Sequence, residues 1–202
     1  MLNEKELKEY AQLMSSGFLE DPGVLLQIGG LERAEMLFYL QCAGQIRAFD
    51  QQSAVQVLEN SKGLLIGYSS NSLNEKQLLQ LHEDLKQASL KLMEVATKEE
   101  LLFMQNNAML AVEITKPDWY TNYFDGEVFH LMVIVIDQSL KGTGAFRRLL
   151  TPVIKECEEK IIPIVLQTHN PENVPIYEHF GFRLIESHTS DRIDLTCYCM
   201  MR

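Results

Sequence analysis

The stretch VIVIDQSLKGTGAFRRLL, residues 133–150, decides how the chain folds. An apolar run stops at Asp137. A short loop follows, with Gly142 and Gly144 one residue apart and Lys141, Arg147 and Arg148 beside them. Leu149 and Leu150 then begin a helical pattern. Strand, glycine loop and helix are the economical reading. Glycine lets a backbone approach a ligand closely. Amide N–H groups at a helix start, at the positive end of its dipole, form an anion site. Arginine forks onto phosphate oxygens, so the chemistry indicated is pyrophosphate binding. Two common versions fail. No Gly-Lys-Ser/Thr closes the loop, which excludes a P-loop. Arg147 stands where the dinucleotide fingerprint needs its third glycine. Alone, the loop reads equally well as a strand–helix turn that favours glycine.

Working outward, residues 4–19 place Leu7, Ala11, Met14 and Phe18 at helical spacing. EDPG at 20–23 is a breaker. A second helix is expected from about Leu31 to Ile46. SAVQVLE and GLLIGYSS read as two strands joined by an NSKG turn. From Asn74 to about Asn106 leucines recur among Glu, Lys and Gln, predicting one long helix and a shorter one. Thr97 with Glu100 three residues on is a capping box at the entry to the second. AMLAVEIT, 108–115, is expected to be a strand, and KPDWYTNYFDGE a loop. VFHLMVIVID is a long apolar strand of the kind buried on both faces. A helix follows from Thr143 to Lys160, with a kink or break near Leu150 because of Pro152. IIPIVLQT is a strand. NPENVPIYEHFG is a helix capped by Asn170, with Pro171 at its first position and Gly181 at its end. FRLIESH and IDLTCYCM are the last strands. The whole reads as one α/β domain.

Among 202 residues, 46% are hydrophobic and 23% charged, as in ordinary globular proteins, and the length allows a sizeable core. The net charge of −10 argues against a general nucleic-acid binder. No apolar run approaches the roughly 20 residues that cross a bilayer. MLNEKELKEY has no apolar secretory core, so the cytoplasm is the expected location. Cys42, Cys157, Cys197 and Cys199 are scattered, which predicts structural thiols and no metal site.

The glycine loop gains meaning from LQTHNPENVPIYEHFGFRLI downstream. Together the two resemble the signature elements of the GNAT-type N-acetyltransferases. That family's loop has the form Gln/Arg-x-x-Gly-x-Gly/Ala. Lys141 takes the basic position, Gly144 the central glycine and Phe146 the final small position. Leu149 and Leu150 match its helix leucines. Asn170, Tyr177, Gly181 and Phe182 match its second element, and Ile134, Val135, Ile136 and Asp137 its strand into the loop. The resemblance is tight over residues 127–185. It implies a mixed, mostly antiparallel sheet flanked by helices, with the strand ending at Ile136 splayed from IIPIVLQT. It divides the single 1–202 domain into N-terminal helices (1–50), a helical insertion (about 74–106) and an acetyl-CoA-binding core (about 127–202).

The resemblance further implies acetyl transfer from acetyl-CoA to the primary amine of a small molecule. A non-catalytic acyl-CoA sensor and a peptide N-acetyltransferase are the alternatives. Ile134, Val135 and Ile136 would bond the pantetheine arm. The amides of Gly142, Thr143, Gly144, Ala145, Phe146 and Arg147, helped by Lys141, would hold the diphosphate, and Asn170 and Tyr177 would also contact the cofactor. Tyr177 would protonate the departing thiolate. Glu127, at the head of the central strand, and His130 are the base candidates, with Glu113 and Asp118 behind them. Each also reads as ordinary structure: Glu127 as a solvated strand end, His130 as a core histidine. Asp118, Trp119, Tyr120 and Tyr123 either hold an amine or pack under a loop. Glu20 and Asp21 either meet a cation or sit in a surface turn. The long helical stretch covers the acceptor side, builds a homodimer contact, or is a plain surface addition. No membrane or nucleic-acid partner is expected.

Overall fold

A computed structural model describes residues 1–202. Three helices lead: α1 (Glu4–Phe18), α2 (Pro22–Ile28) and α3 (Ala34–Gln51). Strands β1 (Val55–Val57) and β2 (Gly63–Ser69) follow, then α4 (Glu75–Val95) and α5 (Lys98–Ile114). The remainder is β3 (Phe129–Ile136), α6 (Ala145–Lys160), β4 (Ile164–Thr168), α7 (Asn173–His179), β5 (Arg183–Ser190) and β6 (Ile193–Met201). The six strands form one sheet in the order β1-β2-β3-β4-β6-β5. Only β3 and β4 run parallel; every other neighbouring pair is antiparallel. The fold class is therefore the expected mixed, mostly antiparallel sheet flanked by helices.

One face of the sheet carries α6 and α7, with Leu149, Leu150, Val153 and Ile154 packed on Leu131, Ile134, Ile164, Leu166 and Met200. The other face carries two clusters. Tyr10, Met14, Phe38, Ile46 and Phe49 from α1 and α3 cover Leu64, Ile66 and Val135. Ile114 and Trp119 cover Val128, Val165, Cys197 and Cys199. Cys197 and Cys199 thus share a buried face, as their alternation predicts.

A β-bulge in β3 sets which side chain goes where. Ile66 pairs with Val133 and Gly67 with Leu131, so Met132 has no partner. The extra residue shifts the alternation by one. Before it, Phe129 and Leu131 face α6; after it, Ile134 and Ile136 do. Val133 and Val135 turn to α1 and α3. Gly17 of α1 rests directly on this segment: a Cβ there would lie 2.6 Å from Val135 Cγ2.

Several expectations need correction. AMLAVEIT is not a strand; it is the second half of α5. Ala, Met and Leu are strong helix formers, and they prolong a helix that Thr97 and Glu100 have already capped. EDPG breaks the chain and also starts α2, with Asp21 as cap and Pro22 at the first position. The second helix runs on past Ile46 to Gln51. α6 continues through Pro152 without a break. An interior proline costs about 3 kcal/mol. Burying Leu149, Leu150, Val153 and Ile154 at about 1.5–3 kcal/mol each outweighs that. α7 begins at Asn173, not beside Asn170.

Candidate active site

β3 and β4 pair only at Phe129–Ile164 and His130–Val165. Beyond His130 the ladder stops, so the strands part, as the resemblance implies. Between them lies a slot of about 300 Å³. Its walls are Met132–Ile136 of β3, Gln167, Thr168 and His169 at the end of β4, and Asn173, Ile176 and Tyr177 of α7. Gly17, Phe18 and Asp21 close one side and Phe146 another. Backbone groups of β3 that would bond β4 have no sheet partner here.

The loop after β3 sits at the mouth. Gly142 and Gly144 both have φ of +79°, a region costly for other residues, and nothing lies within 4 Å of where a Cβ would be. Gly144 caps α6 without a side-chain bond, and the first turn holds no acidic residue. The amides of Gly142, Gly144, Ala145, Phe146 and Arg147 donate to no protein acceptor. Thr143 differs from this expected row: its amide donates to Leu140 O at 3.1 Å. Cations at the positive end of a helix dipole are unfavourable on their own and favourable around an anion. Lys141, Arg147 and Arg148 are exposed. Arg147 lies 5.1 Å over the Phe180 ring and bonds His179 Nε2 at 2.9 Å. Arg148 donates to Thr143 O at 3.2 Å. The cradle fits an anionic diphosphate by its free amides and open glycines.

Tyr177 is 9% exposed, packed against Phe146 and Phe182. Burial, with the Asp21 charge nearby, pushes its phenol well above the usual value, so it holds its proton. Asn170 lies at the turn before α7, where its Oδ1 accepts from Glu172 N at 3.0 Å. Thr168 Oγ1 accepts from Asn173 Nδ2 at 2.9 Å, tying the end of β4 to α7.

The structure places the two base candidates elsewhere. Glu127 accepts from the Ser69 hydroxyl at the opposite end of β3. His130 stacks on Tyr68 at 5.3 Å and meets Tyr120 edge-on at 5.3 Å. Neither lines the slot, because the strands are still paired where they sit. Glu113 is held by Ser190 and Arg192. Trp119 is buried, and Tyr120 and Tyr123 pack around it. Asp21 is the predicted turn residue that does reach the slot, and it also caps Gly23 N at 2.9 Å. His169 was missed. Its signal was a histidine between a strand end and a helix cap; what makes it notable, the approach of α2, comes from a distant part of the chain.

A second cavity, of about 510 Å³, shares Phe18, Met132 and Val133 with the slot. Its other walls come from α1, α2, α3 and α4: Met14, Val24, Phe38, Phe49, Leu85, Ala88 and Leu92, with Gln27, Gln41, Gln45 and Ser89. No charged residue lines it. α4 reaches it because Gly44 of α3 lets the helices touch; a Cβ there would lie 2.4 Å from Ala88 Cβ.

The model of the acetyltransferase (GNAT) domain family matches residues 70–196. The chain belongs to that family. An uncharacterized N-acetyltransferase, C550.08, of Schizosaccharomyces pombe is 34% identical over 58 residues, 29% of this chain. That match spans only 24% of the relative's own length. A Corynebacterium glutamicum structure described as histone acetyltransferase HPA2 and related acetyltransferase superposes with a TM-score of 0.60. It is 13% identical and aligns over 99% of this chain and 92% of its own. Arylalkylamine N-acetyltransferase 2 from Aedes aegypti gives 0.58 at 11% identity, over 100% and 95%. These two share the fold. No helix is long and apolar enough to cross a membrane.

Proposed function

We propose that this protein transfers the acetyl group of acetyl-CoA to the primary amine of a small molecule. The observation that carries the reading is the parted β3–β4 pair, with unpaired amides at the α6 start beside it. Residues about 127–202 form the acetyl-CoA-binding core of the single domain. The free backbone of Ile134, Val135 and Ile136 bonds the pantetheine amides. The amides of Gly142 and Gly144 through Arg147, with the charge of Lys141, hold the diphosphate. A β3 amide at the slot supports the thioester carbonyl, an effect typically worth about 3–4 kcal/mol. Tyr177 gives its proton to the leaving sulfur. A thiol, with a reference pKa of about 8.5, is then released neutral at physiological pH.

The acceptor enters through the second cavity. Apolar walls with three glutamines favour an amine on an uncharged, largely apolar body over a polycation. α4, inside the helical insertion, closes that side, which supports a small molecule over a peptide.

A thiol-release assay with acetyl-CoA against benzylamine, 3-methylbutylamine, spermidine, amino acids and short peptides tests this. Release with the apolar amines, exceeding that with spermidine, is expected. Acetyl-CoA binding by calorimetry with no release across the panel converts the protein to a sensor. Absence of binding overturns the reading altogether.

A further inference from the structure

Building on that acetyl-transfer reading, we propose that His169 is the group that takes the proton from the incoming ammonium. Three observations meet at this residue. It lines the slot at the end of β4, where the strands are parted. Its Nε2 is buried and has no hydrogen-bond partner, a rare state in a folded protein and one that a substrate N–H relieves. Its Nδ1 edge is fixed by α2: a Cβ on Gly23 would lie 2.7 Å from Nδ1, so only glycine accommodates the ring.

The surroundings leave few alternatives. The titratable side chains among the slot residues are Asp21, His169 and Tyr177. Asp21, on the α1–α2 turn, caps Gly23 through Oδ1 and acts on the ring by its charge. Tyr177, on α7, is the proton donor. β3 presents only apolar side chains, and Phe146 does the same from α6. No cation faces the ring from any of these elements. Burial lowers the imidazole's affinity for a proton, and the Asp21 charge opposes this more weakly. The ring is therefore neutral at pH 7, free to accept, and becomes blocked as pH falls through its lowered pKa. Asp21 then steadies the imidazolium that forms.

The proton count closes. The ammonium loses one proton to His169 Nε2, and the imidazolium returns a proton to solvent before the next turnover. The nitrogen forms its bond to the acyl carbon as the carbon–sulfur bond breaks. Tyr177 protonates the sulfur, and the second proton lost by the nitrogen restores Tyr177.

The test is His169→Gln, followed by kcat against pH, acetyl-CoA affinity by calorimetry and a side-chain NMR titration of wild-type His169 with and without CoA. Wild-type kcat is expected to fall below about pH 6.5, the ordinary histidine value. In the variant that acid limb disappears, kcat drops about 100-fold or more, and acetyl-CoA affinity holds within about threefold. The NMR titration gives a midpoint below 6.5. The proposal is overturned if the variant keeps wild-type kcat and the same limb, if His169 titrates above 7, or if Glu127→Gln or His130→Ala abolishes the limb instead. In those cases acetyl transfer itself stands. If wild-type protein fails to bind acetyl-CoA, the underlying reading falls first, and the NMR midpoint alone cannot restore it.

Discussion

Two helix starts in this molecule are built on opposite plans. At α5, Thr97 accepts from Glu100 N at 3.2 Å, and Glu100 accepts from Thr97 N at 2.8 Å. Glu99 and Glu100 put negative charge at the positive dipole end, and Arg33 locks onto Glu100. α1 and α4 carry the same reciprocal cap. At α6 the cap is a glycine, the amides are bare, and the nearby charges are arginines and a lysine. The first plan is complete within the chain and serves stability. The second is incomplete by the chain's own means, and under the proposed function an anion completes it. The lesson is that polar groups left unsatisfied beside a gap locate a site better than the size of a cavity does. A roomier cleft, about 980 Å³ between α1, α2 and α3, lies away from the parted strands.

Giving α6 an acidic cap is the sharpest way to break this contrast. Gly144→Asp puts a carboxylate where the proposed diphosphate would lie, in a backbone region that Asp tolerates better than most residues. Acetyl-CoA Kd is expected to rise about 100-fold or more, roughly 2.7 kcal/mol, while thermal stability changes little; calorimetry and a melting curve check both. Tyr177→Phe comes next. kcat should fall about 100-fold, with acetyl-CoA affinity nearly intact, and an unchanged kcat would remove Tyr177 from the chemistry.

The self-sufficient plan predicts a different signature. Its Arg33 bonds hold Glu100 at about 2, below its usual 4.5. A lowered carboxylate pKa stabilises the fold fully above the unfolded value. That contribution is lost as pH falls from about 4.5 toward about 2. Glu100→Gln should flatten the stability curve in that window and lower stability at neutral pH, with acetyl-CoA binding untouched. The smallest effect is expected for Thr97→Ala: about 1 kcal/mol, or about 2–4 °C in a chain of this size, again with no change in binding.

Much of this was legible in the sequence. The strand–loop–helix at 133–150, the capping box at Thr97 and the second element around Tyr177 all announce themselves within a few residues. The parting of β3 and β4 was readable only through the resemblance, since nothing local in IIPIVLQT says where pairing stops. α2 was hidden because seven residues carry too little periodicity. The strand expected at 108–115 is helix instead because the Ala, Met and Leu there are helix formers that carry α5 on past Asn106. His130 attracted attention by its residue type; its neighbours Tyr68 and Tyr120 make it part of an aromatic stack. His169 is the converse case: its surroundings, Gly23 and Asp21, come from far away in the chain.

The bulge at Met132 has a wider implication. Residues 133–136 are apolar on both sides, so water repulsion alone would accept this strand slid along by one position. Something else must choose the phase. Gly67 does so by shape, since the Phe129 ring occupies the space a Cβ would need, 2.5 Å away. A larger residue at 67 would loosen that key, and a slipped strand would present its amides one residue out of step with the bound substrate while the hydrophobic interior stayed almost as content as before.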